Sequence, residues 1–195
     1  MSLPLNFSAA LELLAALFDI PPERATALRG RIQYFQDKGF PPGTKTGRGK
    51  RASYGPREII MLTVALSLLQ QGLTPGRCLD NLIIFYDLIE RSVKKYYGRG
   101  GTILLAFAVK ELEGGPRHET AITISVNLDD QSDMSSDLRV LANRDGAVLV
   151  NLTLLLTRLD GLLTEEDRIT LRRSFPYHRW LEDDPETGSR GPSDE

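Results

Sequence analysis

Hydrophobic positions recur at helical spacing through the first half of the chain and give way to strand-like alternation after residue 100. Leu11, Leu14, Ala15 and Phe18 fall on one helix face after Ser8, which predicts a first helix over residues 8–18 with Ser8 as its cap. A second helix starts near Pro22 and ends in RIQYFQDKGFPP (residues 31–42), where Gly39, Pro41 and Pro42 stop it. The loop GTKTGRGKRASYG (residues 43–55) has the glycines and alternating charges of a tight hairpin. Pro56 then opens a third helix that runs to Gly72, and Thr74 with Pro75, an N-cap and a first-turn proline, opens a fourth.

The fourth helix carries Leu79, Leu82, Tyr86, Ile89, Val93 and Tyr96 at steps of 3, 4, 3, 4 and 3, a heptad stripe on one continuous helix over residues 75–97. At 1.5 Å per residue that helix would be about 34 Å long. Such a stripe suits a stalk or dimer contact. It equally suits packing on the protein's own second part, because Ile83, Ile84, Phe85 and Leu88 widen the apolar face.

GRGG (residues 98–101) marks a boundary. ILLAFAV (residues 103–109), nearly all apolar, predicts a central strand, and AITISVNL (residues 121–128) alternates as a half-buried one. The turn-like EGGPRH (residues 113–118) between them predicts an antiparallel hairpin. AVLVNLTLLLTRLDGLL (residues 147–163) fits strand or helix by periodicity. Its length, the Asp145-Gly146 start and the spacing of Val150, Leu154, Thr157 and Leu159 favour a helix. Thr164 with Asp167 forms a capping-box start for a last short helix, and from Glu182 the acidic, Gly-, Ser- and Pro-containing tail is expected to be disordered.

Charge adds an asymmetry to this pattern. The chain has 195 residues and a net charge of −2, yet residues 23–57 hold nine Lys/Arg against Glu23 and Asp37, a local net of +7. Residues 160–195 hold five Arg against ten acids, a local net of −5. A basic patch inside a mildly acidic chain points to a localised polyanion site. The single cysteine, Cys78, excludes a disulfide framework, and two separated histidines, His118 and His178, do not suggest a metal site. MSLPLNFSAALELL lacks the basic region and cleavage site of a secretory leader, and no run of about 18 apolar residues exists, so a cytoplasmic location with no membrane partner is expected.

Ile32-Gln33-Tyr34-Phe35, Gly39-Phe40, the basic loop, Arg51 with Tyr54 and the following two helices resemble the winged helix-turn-helix head of the MerR family. There, an Ile-Arg-Tyr-Tyr element and Gly-Leu end the recognition helix, and a wing with an Arg-x-x-Tyr exit follows. Two departures are visible: the stretch between Ile20 and Ile32 is about two turns longer than the family's, and Gln33 stands where arginine is common. The resemblance covers about a quarter to a third of the chain, and with the periodicity of the rest the expected class is mainly α, α+β. A MerR-like head spans residues 1–75, residues 76–97 form a linking or dimerisation helix, a small α+β body with a β-hairpin spans 98–181, and the acidic tail spans 182–195.

Within that head, Arg24, Arg29 and Gln33 lie on the polar face of the second helix as candidate base readers, with Arg31 beside them and Lys38 near the helix end as a backbone contact. Lys45, Arg48, Lys50 and Arg51 in the wing suit phosphate or minor-groove contact. Tyr34 and Tyr54 are candidates to bond phosphate through their hydroxyls, whereas Phe35 and Phe40 are expected in the core.

Other chemistries are not supported. GTKTGRG lacks the Gly-Lys-Ser/Thr ending of a phosphate-binding loop. In DDQSDMSSD, Met134 and Val140 stand where a calcium loop needs glycine and glutamate. No nucleophile motif or paired-carboxylate arrangement stands out, so no enzymatic activity, metal or cofactor is expected. The reading is a dimeric, sequence-specific transcriptional regulator that binds double-stranded DNA, with the body serving dimerisation or a small-molecule or protein effector. Two alternatives stay open: a DNA-architectural or mobile-element accessory factor of excisionase or partition type, and a protein-interaction module.

Overall fold

The computed structural model describes residues 3–44, 51–108, 121–126 and 147–176. The protein is a mainly helical α+β structure with a small antiparallel sheet. Helix α1 (Phe7–Leu17) is capped by Asn6, whose side chain accepts the Ala9 N–H at 3.0 Å. The cap therefore lies two residues before the expected Ser8, whose hydroxyl reaches Glu12 instead. A short 3-10 turn, Pro22–Arg24, leads into α2 (Ala25–Asp37), and Gly39 at φ 80° ends that segment in a conformation glycine adopts without strain.

Helix α3 (Pro56–Gln70) is the centre of the molecule, because Ile59 to Leu66 and Leu68 are all buried. An all-round apolar helix must be enclosed by neighbours. The Thr63 hydroxyl, also buried, is satisfied by the Ile59 carbonyl at 2.9 Å.

The expected single helix over residues 75–97 is two helices, α4 (Pro75–Ile84) and α5 (Tyr86–Arg99). They meet at Phe85, whose φ of −101° and ψ of 19° leave the helical region. No proline or glycine marks the break. Its counterpart is tertiary: the Phe85 ring packs edge-on against Phe107 at 6.1 Å. The heptad stripe is consumed within the molecule, since Leu79, Leu82, Ile89 and Val93 are buried and Tyr86 and Tyr96 pack against the core. Ile83 and Ile84 do not widen that buried face; they are 58% and 45% exposed.

Three strands form one sheet in the order β2-β1-β3. β1 (Thr102–Ala108) is central, as its apolar run predicts, and pairs antiparallel with β2 (Ala121–Val126), Leu104 opposite Ile124. β3 (Ala147–Asn151) corrects the expected helix over residues 147–163: its first five residues pair antiparallel with β1, Leu105 opposite Val150. Asn151 then turns the chain into α6 (Leu152–Leu162) by accepting the Leu154 N–H at 2.9 Å. The two valines and the capping asparagine carry the local signal for this switch. Thr164 caps α7 (Glu165–Arg173) as its motif predicts, with the Asp167 N–H donating to the Thr164 hydroxyl.

Residues from both sides of the expected boundary at 75 join one buried core, from Leu5 to Phe175. Helix α1 packs on α6, and α3 packs on β3 and α6. Arg158 of α6 also pairs with Asp19, just after α1. The EGGPRH turn and the acidic tail lie outside the described residues.

Candidate nucleic-acid interface

Helix α2 divides cleanly into two faces. Leu28, Ile32 and Phe35, at steps of four and three, are buried at 1%, 1% and 0% exposure. Phe35 is held edge-on by Tyr34 and Phe40, with ring centroids 5.8 and 6.1 Å away. With that face locked into the core, the other face is turned outward. Arg29, Arg31, Gln33 and Lys38 are exposed along it, as is Arg24 at its start.

Among the described residues, no ion pair includes Arg24, Arg29, Arg31, Lys38 or Arg51. Two of them rest on aromatic rings: the Arg29 guanidinium lies 5.7 Å from the Phe7 ring centre, and the Lys38 ammonium 6.0 Å from that of Tyr34. Such contacts position a side chain without neutralising its charge.

A surface groove of about 480 Å³ runs beside this face, lined by Asn6, Phe7 and Ser8 at the amino end of α1, Gln33 and Gln36 of α2, and Arg51 and Ala52. The Gln36 amide donates to the Thr44 carbonyl at 3.0 Å, which ties α2 to the start of the loop that follows. The groove brings Gln33 and Arg51 together. Arg24, Arg31 and Lys38 lie outside it, and Lys45, Arg48 and Lys50 fall outside the described residues. Asn6, Phe7, Ser8 and Gln36 are not among the expected site residues. Their signal is the Asn6 cap, which brings the start of α1 to the groove.

The two tyrosines part company. Tyr34 is half-buried, its hydroxyl 3.9 Å from where a Cβ on Gly76 would lie, so its ring reaches toward the start of α4. Tyr54 corrects its expected role as a phosphate contact. It is fully buried, its hydroxyl has no hydrogen-bond partner among the described residues, and burial pushes its ionisation upward. Its backbone exchanges two hydrogen bonds with Leu5, at 2.9 and 2.8 Å, and its ring meets Phe7 at 6.2 Å. Tyr54 is a core residue that anchors the exit of the basic loop.

Several charges of the other half are paired, though Arg91, Lys95 and Arg173 have no ion pair among the described residues. Glu90 on α5 lies between Arg57 at 3.3 Å and Lys94 at 3.0 Å. Asp160 on α6 accepts the Tyr97 hydroxyl at 3.1 Å and faces Arg172 at 3.7 Å. Burial raises the Asp160 carboxyl above its usual range, against the lowering effect of Tyr97 and Arg172. The Tyr97 phenol is raised too, by burial first and by Asp160 second. Burial also pushes the Cys78 thiol up to about 12, which leaves it protonated and unreactive near neutral pH. Among the described residues no cluster of ligands could hold a metal ion, and no helix is long and apolar enough to cross a membrane.

No protein-family model matches the chain, and no curated protein matches it in sequence.

Proposed function

We propose that this protein is a sequence-specific, DNA-binding transcriptional regulator that presents the exposed face of α2 to the major groove through a MerR-like head. The observation that carries the reading is the set of exposed cations without acidic partners on both flanks of α2 and at Arg51, on a helix whose buried stripe is fixed in the core. Uncompensated positive charge on a rigid element is favourable when an anion neutralises it and releases counterions. Gln33, exposed at the middle of the face, has the amide geometry to bond an adenine edge, whereas Arg31 and Lys38 suit phosphates. The amino end of α1 opens into the same groove as Arg51, an arrangement suited to a backbone phosphate. Lys45, Arg48 and Lys50 add three further cations to this stretch of the sequence. Two copies on a two-fold axis would read a palindrome. Because the heptad stripe is used internally, such a dimer forms through another surface.

The test is selection from a random duplex library by the full-length protein at several salt concentrations. An enriched palindrome supports the reading. Salt-dependent binding without a motif favours the architectural alternative, and no binding at low salt overturns DNA recognition. Replacing Arg29, Arg31 and Lys38 together by alanine is expected to weaken binding on the order of a hundredfold. The same change should lower the slope of log affinity against log salt by about 1.8, close to 0.9 for each of the two phosphates that Arg31 and Lys38 no longer neutralise.

A further inference from the structure

The chain segment from Leu3 to Phe7 touches three parts of the molecule that are distant in sequence. Its Leu3 N–H donates to Asp167 Oδ1 at 2.7 Å across 164 residues. Leu5 exchanges two backbone hydrogen bonds with Tyr54, where the basic loop returns to the core. Phe7 carries the Arg29 guanidinium on its ring and, with Asn6, lines the groove shared by Gln33 and Arg51. Asp167 is itself only 2% exposed and fixed from its other side, since the Thr164 hydroxyl donates to its Oδ2 at 2.7 Å. A buried carboxylate that accepts two short hydrogen bonds is a rigid anchor.

We propose that Asp167 is a positioning residue for the DNA interface: through the backbone of residues 3–5 it holds the loop exit at Tyr54 and the seat of Arg29, so the state of α7 sets the geometry of the surface that meets DNA. The inference rests on the DNA-binding reading for its function but not for its mechanics. Hydrogen-bonded chains of this kind can carry coupling between distant parts, and the chain is unbroken from Asp167 through Leu3 and Leu5 to Tyr54. A protein or ligand that engaged the start of α7 would reach the interface by this route.

Amide hydrogen exchange at Leu5 and Tyr54 in the full-length protein tests the mechanics. Asp167→Ala removes the acceptor, while Leu3→Pro removes the donor, together with the Leu3 side chain that packs on the core, and leaves α7 and its cap intact. Both are expected to speed exchange at Leu5 and Tyr54 roughly tenfold or more, the loss of one hydrogen bond to a charged acceptor. Asp167→Asn, whose single amide oxygen can still accept the Leu3 N–H but whose nitrogen cannot accept the Thr164 hydroxyl, should fall between the wild type and Asp167→Ala. Affinity for a duplex pool should fall in the first two variants and fall less in the third. Unchanged exchange in Leu3→Pro overturns the strap, even where Asp167→Ala fails to fold. Faster exchange with unchanged DNA affinity overturns its role at the interface. If the wild type binds no DNA, the interface reading fails by itself, and the exchange rates still decide whether Asp167 holds the loop exit.

Discussion

Helix α2 and the group α5 to α7 are built from similar residue types, yet their charged faces differ. On α5 to α7 part of the charge is paired: Lys94 shares Glu90 with Arg57 of α3, Arg168 meets Glu165 and Arg172 meets Asp160, whereas Arg91, Lys95 and Arg173 have no ion pair among the described residues. On α2 the cations stand exposed beside aromatic rings and amides, with no acid paired to them among the described residues. Both groups bury a comparable apolar stripe in the same core. The difference lies in what each charge faces, and it separates charge that serves the fold from charge left available to a partner.

The comparison is broken most severely from the buried side. Phe35→Ala removes a fully buried ring between Tyr34 and Phe40, and a loss of about 3 to 5 kcal/mol is expected from the emptied space. Because the core is continuous, urea unfolding followed by circular dichroism and by amide exchange in β1 should shift together. A separate transition for the sheet would mean that the two regions are independent units.

A smaller change makes α5 resemble α2. Glu90→Gln leaves Arg57 and Lys94 without their shared acid, whose side chain is 14% exposed. A stability loss of about 1 kcal/mol is expected, since Glu90 is mostly buried but the exposed Arg57 lets solvent screen its pair. DNA affinity should stay within roughly threefold of wild type, because a charge remote from the interface acts only through a screened field. Tighter binding would show that uncompensated charge anywhere on the molecule suffices, and the distinction between the helices would fall.

The smallest effect concerns pH. A carboxyl whose folded pKa is raised above its unfolded value binds protons more readily in the native state, so its contribution to stability grows as pH falls through the folded pKa and is lost as pH rises. Asp160 is raised in this way by burial. Asp160→Asn should therefore be within about 1 kcal/mol of wild type at neutral pH, where an exposed partner such as Arg172 contributes little. Any advantage of the variant should shrink on acidification toward the ordinary aspartate range. A constant difference across that range would exclude a raised Asp160.

Signals confined to a few neighbouring residues were legible in the sequence alone. The stops at Gly39 and Gly72, the first-turn prolines Pro56 and Pro75, the Thr164 cap, the central place of β1 and the burial of Phe35 and Phe40 all follow from local conformational preference or from period. The exposure of Arg29, Arg31 and Gln33 follows too, because the apolar stripe of Leu28, Ile32 and Phe35 leaves the rest of the helix circumference to solvent.

Tertiary structure decided the rest. The break at Phe85 depends on Phe107, the pairing of β3 on β1, the burial of Tyr54 on Leu5 and Phe7, and the hold on Leu3 on a carboxylate 164 residues away. A helix cap or a period is written within one or two turns of chain. Whether a hydroxyl meets solvent or a core, and whether a charge meets an acid or stays free for a polyanion, is set by residues that only folding brings together.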